Sequence, residues 1–312
     1  MPELNSKEVV ITLYEHHYHF GVAALINSLV NSKFDGLVLI GYRGDLPLWT
    51  SQLTTSDTGQ GYLVGSVRVK FERIDTRMHF GYYKPTFIDH VFNTYPSADQ
   101  VYYFDPDIVI NAPWKFFHDW AEAGIALCLD LSFPYVHENH PWRNEWKKMA
   151  GADGRYFNPI DYYVNSGFIG IKRSDRLLIE RWIDLTRKYD ALKGDLTLFE
   201  KDGFRSFKGD QDLLNAAITV SSDLVFSIIG KEGMGFVQPA YLMTHAIDSI
   251  KPWKKKFVRQ LILSGKKPNL FEKNYFRYCN SPIRVYTKSQ MKLKRFDLQL
   301  SAALGRFIGK DN

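Results

Sequence analysis

Gln100-Val101-Tyr102-Tyr103-Phe104-Asp105-Pro106-Asp107 is an apolar run that ends abruptly in two acids. The run reads as a buried strand. Side chains two apart in extended chain point the same way, so Asp105 and Asp107 aim both carboxylates at one point just past the strand end. Pro106 stiffens the spacing and offers no N–H to compete. Ligand sites of open α/β sheets lie beyond the carboxyl ends of their strands. Two carboxylates this close repel unless a cation sits between them.

Similar short β-branched or apolar runs stand at 9–13, 37–41, 67–71, 125–129 and 168–171. Between them lie helical patterns. Val22, Leu25, Ile26 and Leu29 share one face; a helix is expected over 84–92, an amphipathic one over 176–189, and another begins at 210–217. Strands alternating with helices imply an α/β fold with a mostly parallel central sheet covered by helices on both faces. Residues 131–163 break this rhythm with aromatics, Pro, Asn and His, and one short helix is expected near Trp146. Long ordered excursions of this kind are usually functional, and the acceptor side of a site is the expectation here. From Lys254 the composition shifts to Lys clusters separated by apolar residues. The expected division is a domain over 1–253 and a basic, mainly helical C-terminal extension over 254–312.

The 312 residues are 45% hydrophobic and 24% charged, as a packed globular chain requires. Aromatics reach 15%, and the formal charge is +6, a balance that favours anionic partners. No zinc-finger spacing, aromatic RNA-binding signature or long Arg run is present, so no nucleic-acid partner is expected. Cys128, in an apolar run, and Cys279 do not make a disulfide framework. The opening stretch is polar, and no apolar stretch approaches the roughly 20 residues of a membrane helix. The expectation is a cytoplasmic protein, possibly peripheral on the inner face of a membrane, with the basic C-terminus against anionic lipid.

A second apolar stretch ends in Leu242-Met243-Thr244-His245, and Lys251-Pro252-Trp253 begins six residues after the His. Carboxylates alone suit Mg²⁺ or Ca²⁺; adding an imidazole shifts preference toward a transition metal, and Mn²⁺ tolerates mixed oxygen and nitrogen octahedra. Lys251 would supply a point charge for a phosphate. Trp253 reads as packing. His137 and His140 read as loop residues.

The segments Phe104-Asp105-Pro106-Asp107, Asn165-Ser166-Gly167, Asp210-Gln211-Asp212-Leu213-Leu214-Asn215 and His245 with Lys251-Pro252-Trp253 occur in this order. Together they resemble glycosyltransferase family eight, the glycogenin and bacterial lipooligosaccharide galactosyltransferase group. The resemblance implies a GT-A fold with a Rossmann-like nucleotide-binding half, a UDP-sugar donor, Mn²⁺, and transfer with retention to a glycan, glycolipid or protein acceptor. It implies Asp105, Asp107 and His245 as metal ligands, and Lys251 on the diphosphate. It implies Thr12, Leu13, Tyr14 and Tyr18 around the uracil, and Lys84 and Asp105 facing the donor. It implies Asp130, Asn165, Asp210 and Gln211 around the donor sugar. Two departures stand out. Asp248 occupies the place of a glycine that normally lets backbone approach the diphosphate, and the loop after the first strand is about one residue short.

Two rivals share parts of this pattern. A sugar-phosphate nucleotidyltransferase would want a Gly-rich loop after the first strand, and residues 12–18 hold no Gly. A non-catalytic carbohydrate-binding protein of the same fold would not need the whole set of acids, His and Lys.

Overall fold

The computed structural model describes residues 6–56, 59, 61–151, 156–192, 195–198, 207 and 209–308; the first five residues of the polar opening stretch and the last four of the chain lie outside them. In chain order the first elements are β1 (Glu8–Glu15), α1 (His19–Asn31), β2 (Leu37–Arg43), β3 (Thr54–Thr55), β4 (Tyr62–Val64), β5 (Val67–Arg73), α2 (Phe80–Thr94), β6 (Gln100–Phe104) and β7 (Ile108–Ile110). There follow α3 (Trp114–Glu122), β8 (Ile125–Cys128), α4 (Pro141–Ala150), β9 (Phe168–Lys172), α5 (Leu177–Ala191), α6 (Asp210–Thr219), β10 (Phe226–Ile229) and β11 (Met243–His245). Three helices close the chain: α7 (Phe257–Ser264), α8 (Leu270–Tyr278) and α9 (Lys288–Ile308).

The main sheet has nine strands in the order β10-β8-β9-β6-β1-β2-β5-β4-β3. β1 lies in its middle, parallel to β2 and to β6. Its Val9-Val10-Ile11-Thr12-Leu13 run is buried on both faces, as a central parallel strand demands. Val9, Ile11 and Leu13 enter a core built with α2, α5 and α6; Val10 and Tyr14 enter the opposite core, built with α1 and α3. The period of two thus splits one strand between two cores. The sheet is mostly parallel, as expected: β4 and β9 alone among the described strands run against the rest.

Some boundaries differ from the sequence reading. α2 starts four residues before Lys84, because the His79 ring accepts the Gly81 N–H and caps the helix there. α1 is longer than its apolar face suggested and is buried all along 21–29, since β7 and α8 cover the side away from the sheet. α4 forms near Trp146 as expected. The buried Arg143 on it ties the 131–163 excursion together, donating to Val136 O (2.8 Å), Thr219 Oγ1 (2.7 Å) and Tyr162 O (2.6 Å).

A separate two-stranded sheet pairs β7 antiparallel with β11, setting His245 opposite Ile108. Behind it, Trp253, Phe257, Tyr275, Phe276 and Tyr286 join Ala24 and Val109 in a third core. Asn27 on α1 locks this junction. Its amide donates to Tyr278 O (2.6 Å) and Ile283 O (2.9 Å), and its carbonyl accepts from Ile283 N (2.8 Å). Cys128 lies buried in β8 and Cys279 is buried; both are free thiols.

Asn27→Leu keeps the branched heavy-atom skeleton but leaves these backbone groups buried and unpaired. Urea unfolding should show a loss of about 2–4 kcal/mol; an unchanged midpoint would mean that the junction relaxes to admit water.

Candidate functional site

A cavity of about 660 Å³ opens at the carboxyl ends of β1 and β6. Its floor is the Asp105-Pro106-Asp107 turn. Asp105 N–H donates to Gly167 O (2.8 Å), and Ile108 N–H donates to Asp105 O (3.0 Å), so backbone alone fixes the turn. α1 crosses directly above: a Cβ on Gly21 would lie 2.1 Å from Pro106 O, so only glycine permits this approach. The β7–β11 pairing then delivers His245, with Ala246 N–H donating to Asp107 O (3.1 Å). His245 Nε2 stands 3.2 Å from Asp107 Oδ1 and 3.6 Å from Asp105 Oδ2.

Lys251 completes the group. Its ammonium meets Asp107 Oδ2 at 2.8 Å and donates to Ala246 O at 2.6 Å. Burial alone would raise the Asp107 carboxyl, but His245 and Lys251 beside it hold it well below the usual carboxylate range. Gly167 of the Asn-Ser-Gly segment has a clear reason to be glycine. A Cβ there would sit 2.6 Å from His245 Cε1 and 3.0 Å from Asp105 Oδ2.

Lys84, which the resemblance sets facing the donor, lines the cavity and is already held by acids. It is buried between two acids, 3.1 Å from Asp105 Oδ1 and 2.8 Å from Asp210 Oδ2, and donates to Ser166 O (3.0 Å). Burial would lower its ammonium, but Asp105 and Asp210 push it well up. The same contacts hold the Asp210 carboxyl down against its own burial. Lys84 therefore ties the two acidic segments together in the cavity lining. Tyr103, which the sequence reading did not single out, donates to Asp105 Oδ1 at 2.8 Å.

The remaining polar wall is equally pre-formed. Asp130 Oδ1 accepts from the Asn165 amide (3.0 Å), and its Oδ2 accepts from Ser132 N (2.9 Å) and Phe133 N (3.2 Å). Asn165 Oδ1 accepts from Gly167 N (2.9 Å). Gln211 Oε1 accepts from Ser166 N (3.3 Å), and Tyr163 donates to Asp212 Oδ1 (2.7 Å). His79, Tyr163 and Ser166 line the cavity although the sequence reading gave them no role. Ser166 sits inside a quoted motif and carried that signal; His79 and Tyr163 had none.

At the end of β1, Leu13, Tyr14, Glu15 and Tyr18 reach the cavity. Thr12 does not line it; its side chain is fully buried, and its hydroxyl has no partner among the described residues. Tyr14 stacks on Tyr42 with ring centroids 6.0 Å apart. Tyr18 presents its ring against the edge of Trp253 at 5.7 Å, and Trp253 Nε1 donates to His17 (2.8 Å), so Trp253 is packing as expected. Asp248 turns to Lys255 (3.1 Å), which also pairs with Glu272; this gives the acid at the glycine position a partner of its own. His137 and His140 cap local turns through their Nδ1 atoms.

The charge balance of this cavity is the reverse of the chain's. Glu15, Asp105, Asp107, Asp130, Asp210 and Asp212 line it, against Lys84 and Lys251. Two carboxylates and an imidazole, with ligand atoms all within 4.8 Å of one another, form the one metal-capable group among the described residues. An excess of acid with this donor set fits a divalent cation.

No protein-family model matches the chain, and no curated protein matches it in sequence. Solved structures do match in shape. The apo structure of the bifunctional glycosyltransferase WbbM aligns with a TM-score of 0.55 and 15% identity, over 95% of this chain and 52% of that one. The glycosyltransferase GlyE of Streptococcus pneumoniae TIGR4 aligns at 0.50 and 16%, over 95% and 64%. The chain thus spans about half of WbbM and under two thirds of GlyE. The galactosyltransferase LgtC, in complex with donor and acceptor sugar analogs, aligns at 0.50 and 14%, over 92% of this chain and 99% of that one. At these identities the likeness shows a shared fold, and the fold is the GT-A type α/β architecture of these glycosyltransferases.

Lys84→Met would strand Asp105 and Asp210 in a buried site, and a loss of about 3–5 kcal/mol is expected in chemical unfolding. Wild-type stability would show that the acids are neutral without it. Gly167→Ala should leave the circular dichroism unchanged yet weaken Mn²⁺ affinity about tenfold or more in calorimetry; unaltered affinity would remove His245 or Asp105 from the ligand set.

Proposed function

We propose that this chain is a metal-dependent hexosyltransferase of the family-eight type, moving a sugar from a UDP-sugar to a carbohydrate-bearing acceptor with retention of configuration. One observation carries the reading: Asp105, Asp107, His245 and Lys251, drawn from distant parts of the sequence, converge in the lining of one cavity. Asp105, Asp107 and His245 would hold Mn²⁺, with Mg²⁺ as the alternative. When bound, the ion would neutralise charge developing on the departing diphosphate.

The chain's own residues would do the rest. Lys251, now paired with Asp107, is placed to turn its ammonium to a diphosphate and offset the same charge. Leu13, Tyr14 and Tyr18 would flank the base. Asp130, Asn165, Asp210 and Gln211 would bind the sugar hydroxyls, oriented by the hydrogen bonds they already make. Breaking the sugar–phosphate bond leaves an oxocarbenium-like centre, and the Gln211 carbonyl dipole is the group suited to face it. Asp210 is engaged by Lys84 and Ser166, and Asp212 by Tyr163; neither carboxylate is free to attack the anomeric carbon. That supports front-face departure, with the leaving phosphate oxygen accepting the acceptor hydroxyl proton. Phe133 and Trp142 of the 131–163 excursion line the same cavity and are the natural acceptor side. The acceptor would be a glycan, a lipid-linked oligosaccharide or a glycosylated protein. We place the protein in the cytoplasm, with its basic C-terminal helices toward an anionic membrane surface.

The test is release of UDP from a panel of UDP-sugars. Hydrolysis should stop with a chelator and return with Mn²⁺. Asp107→Ala and His245→Ala should each lose about a hundredfold or more. Chelator-resistant turnover, or pyrophosphate formed instead from a nucleoside triphosphate and a sugar phosphate, would refute the assignment. Phe133→Ala should raise the acceptor KM and leave donor hydrolysis alone; an equal fall in both would place Phe133 on the donor side.

A further inference from the structure

Large apolar side chains stand in a row on the outer face of α9. Leu293, Phe296, Leu300, Leu304 and Phe307 follow one another at helical spacing and are 69%, 62%, 36%, 39% and 87% exposed. Ile262 and Leu263 on the adjoining α7 are also exposed. No helix of the described residues is long and apolar enough to cross a membrane.

The opposite face of α9 fixes this orientation. Met291, Leu298 and Ser301 are buried, and Ser301 Oγ donates to Phe257 O (3.1 Å). Asp297 accepts from Phe257 N (2.7 Å) and Val258 N (3.1 Å), capping α7. Gly305 lets α9 close onto the loop after α7, since a Cβ there would lie 2.8 Å from Lys267 Cβ. The apolar row cannot roll inward, and a contiguous exposed apolar row marks an interaction face.

Charge tells what that face meets. Residues 254–308 carry fourteen Lys or Arg and only two acids, Glu272 and Asp297. Both acids are used internally, on Lys255 and on the α7 cap. The excess exceeds the +6 of the whole chain, so the remainder is net negative. Lys288, Lys292, Arg295 and Arg306 on α9 are exposed among the apolar side chains. Nucleic acid would leave Phe296 and Phe307 wet, and a second copy would bring like charges together. We propose that α9, flanked by Ile262 and Leu263, lies in the interface of an anionic bilayer, apolar row down and cations among the headgroups. This deepens the membrane reading above and is independent of transferase chemistry.

The full chain is floated with phosphatidylcholine vesicles and with vesicles that also contain phosphatidylglycerol. Wild type should bind the anionic vesicles and barely bind the neutral ones. Lys288→Gln with Lys292→Gln should weaken binding about twentyfold. Phe296→Ser with Phe307→Ser should abolish it, with thermal unfolding and vesicle-free UDP-sugar hydrolysis unchanged. Failure of the first readout with hydrolysis intact would sink this inference alone. Equal binding to both vesicle types, no binding, or wild-type dimers that the serine variant converts to monomers would each overturn it.

Discussion

Like charges cannot be packed at the end of a strand without an opposite charge between them. Asp105, Asp107 and Asp210 crowd the end of β6, and two lysines divide the task of holding them. Lys84 is buried in the cavity lining and neutralises the pair Asp105–Asp210. Lys251 lies at the cavity wall and answers Asp107 alone. Asp130, Asp212 and Glu15 add further negative charge to the same cavity. The inner lysine balances the buried acids; the outer imbalance is what fits a divalent cation.

The architecture supplies this arrangement by two close approaches. Gly21 lets α1 descend onto Pro106, and Gly167 leaves room for the His245 ring beside Asp105. The small β7–β11 sheet carries His245 back across a long stretch of chain to within hydrogen-bond distance of Asp107. None of these contacts is local, yet each rests on backbone geometry, so the fold itself brings the polar groups together.

The larger strands were legible in the sequence because they are long β-branched or apolar runs: 9–13, 37–41, 67–71, 100–104 and 125–129 all lie in the sheet. The Asp-Pro-Asp turn and His245 were legible because their order with the Asn-Ser-Gly and Asp-Gln-Asp segments resembles one family. What stayed hidden was set by distant partners. β7 is three residues long and has no pattern of its own; it exists because β11 pairs with it. β9 looks like any apolar strand, and its antiparallel direction is fixed by β6 and β8 on either side. Lys84 read only as a basic residue facing the donor, and the tertiary fold adds the two acids that enclose it. Thr12 shares a strand face with Tyr14, but it lies two residues deeper along β1 and is fully buried short of the cavity.

Electron paramagnetic resonance of free aqueous Mn²⁺ tests the central claim most directly. With UDP present, wild-type protein should remove the free-ion signal at one ion per chain, and Asp107→Asn protein should leave it standing. A full free-ion signal with the wild-type chain and UDP would contradict the account.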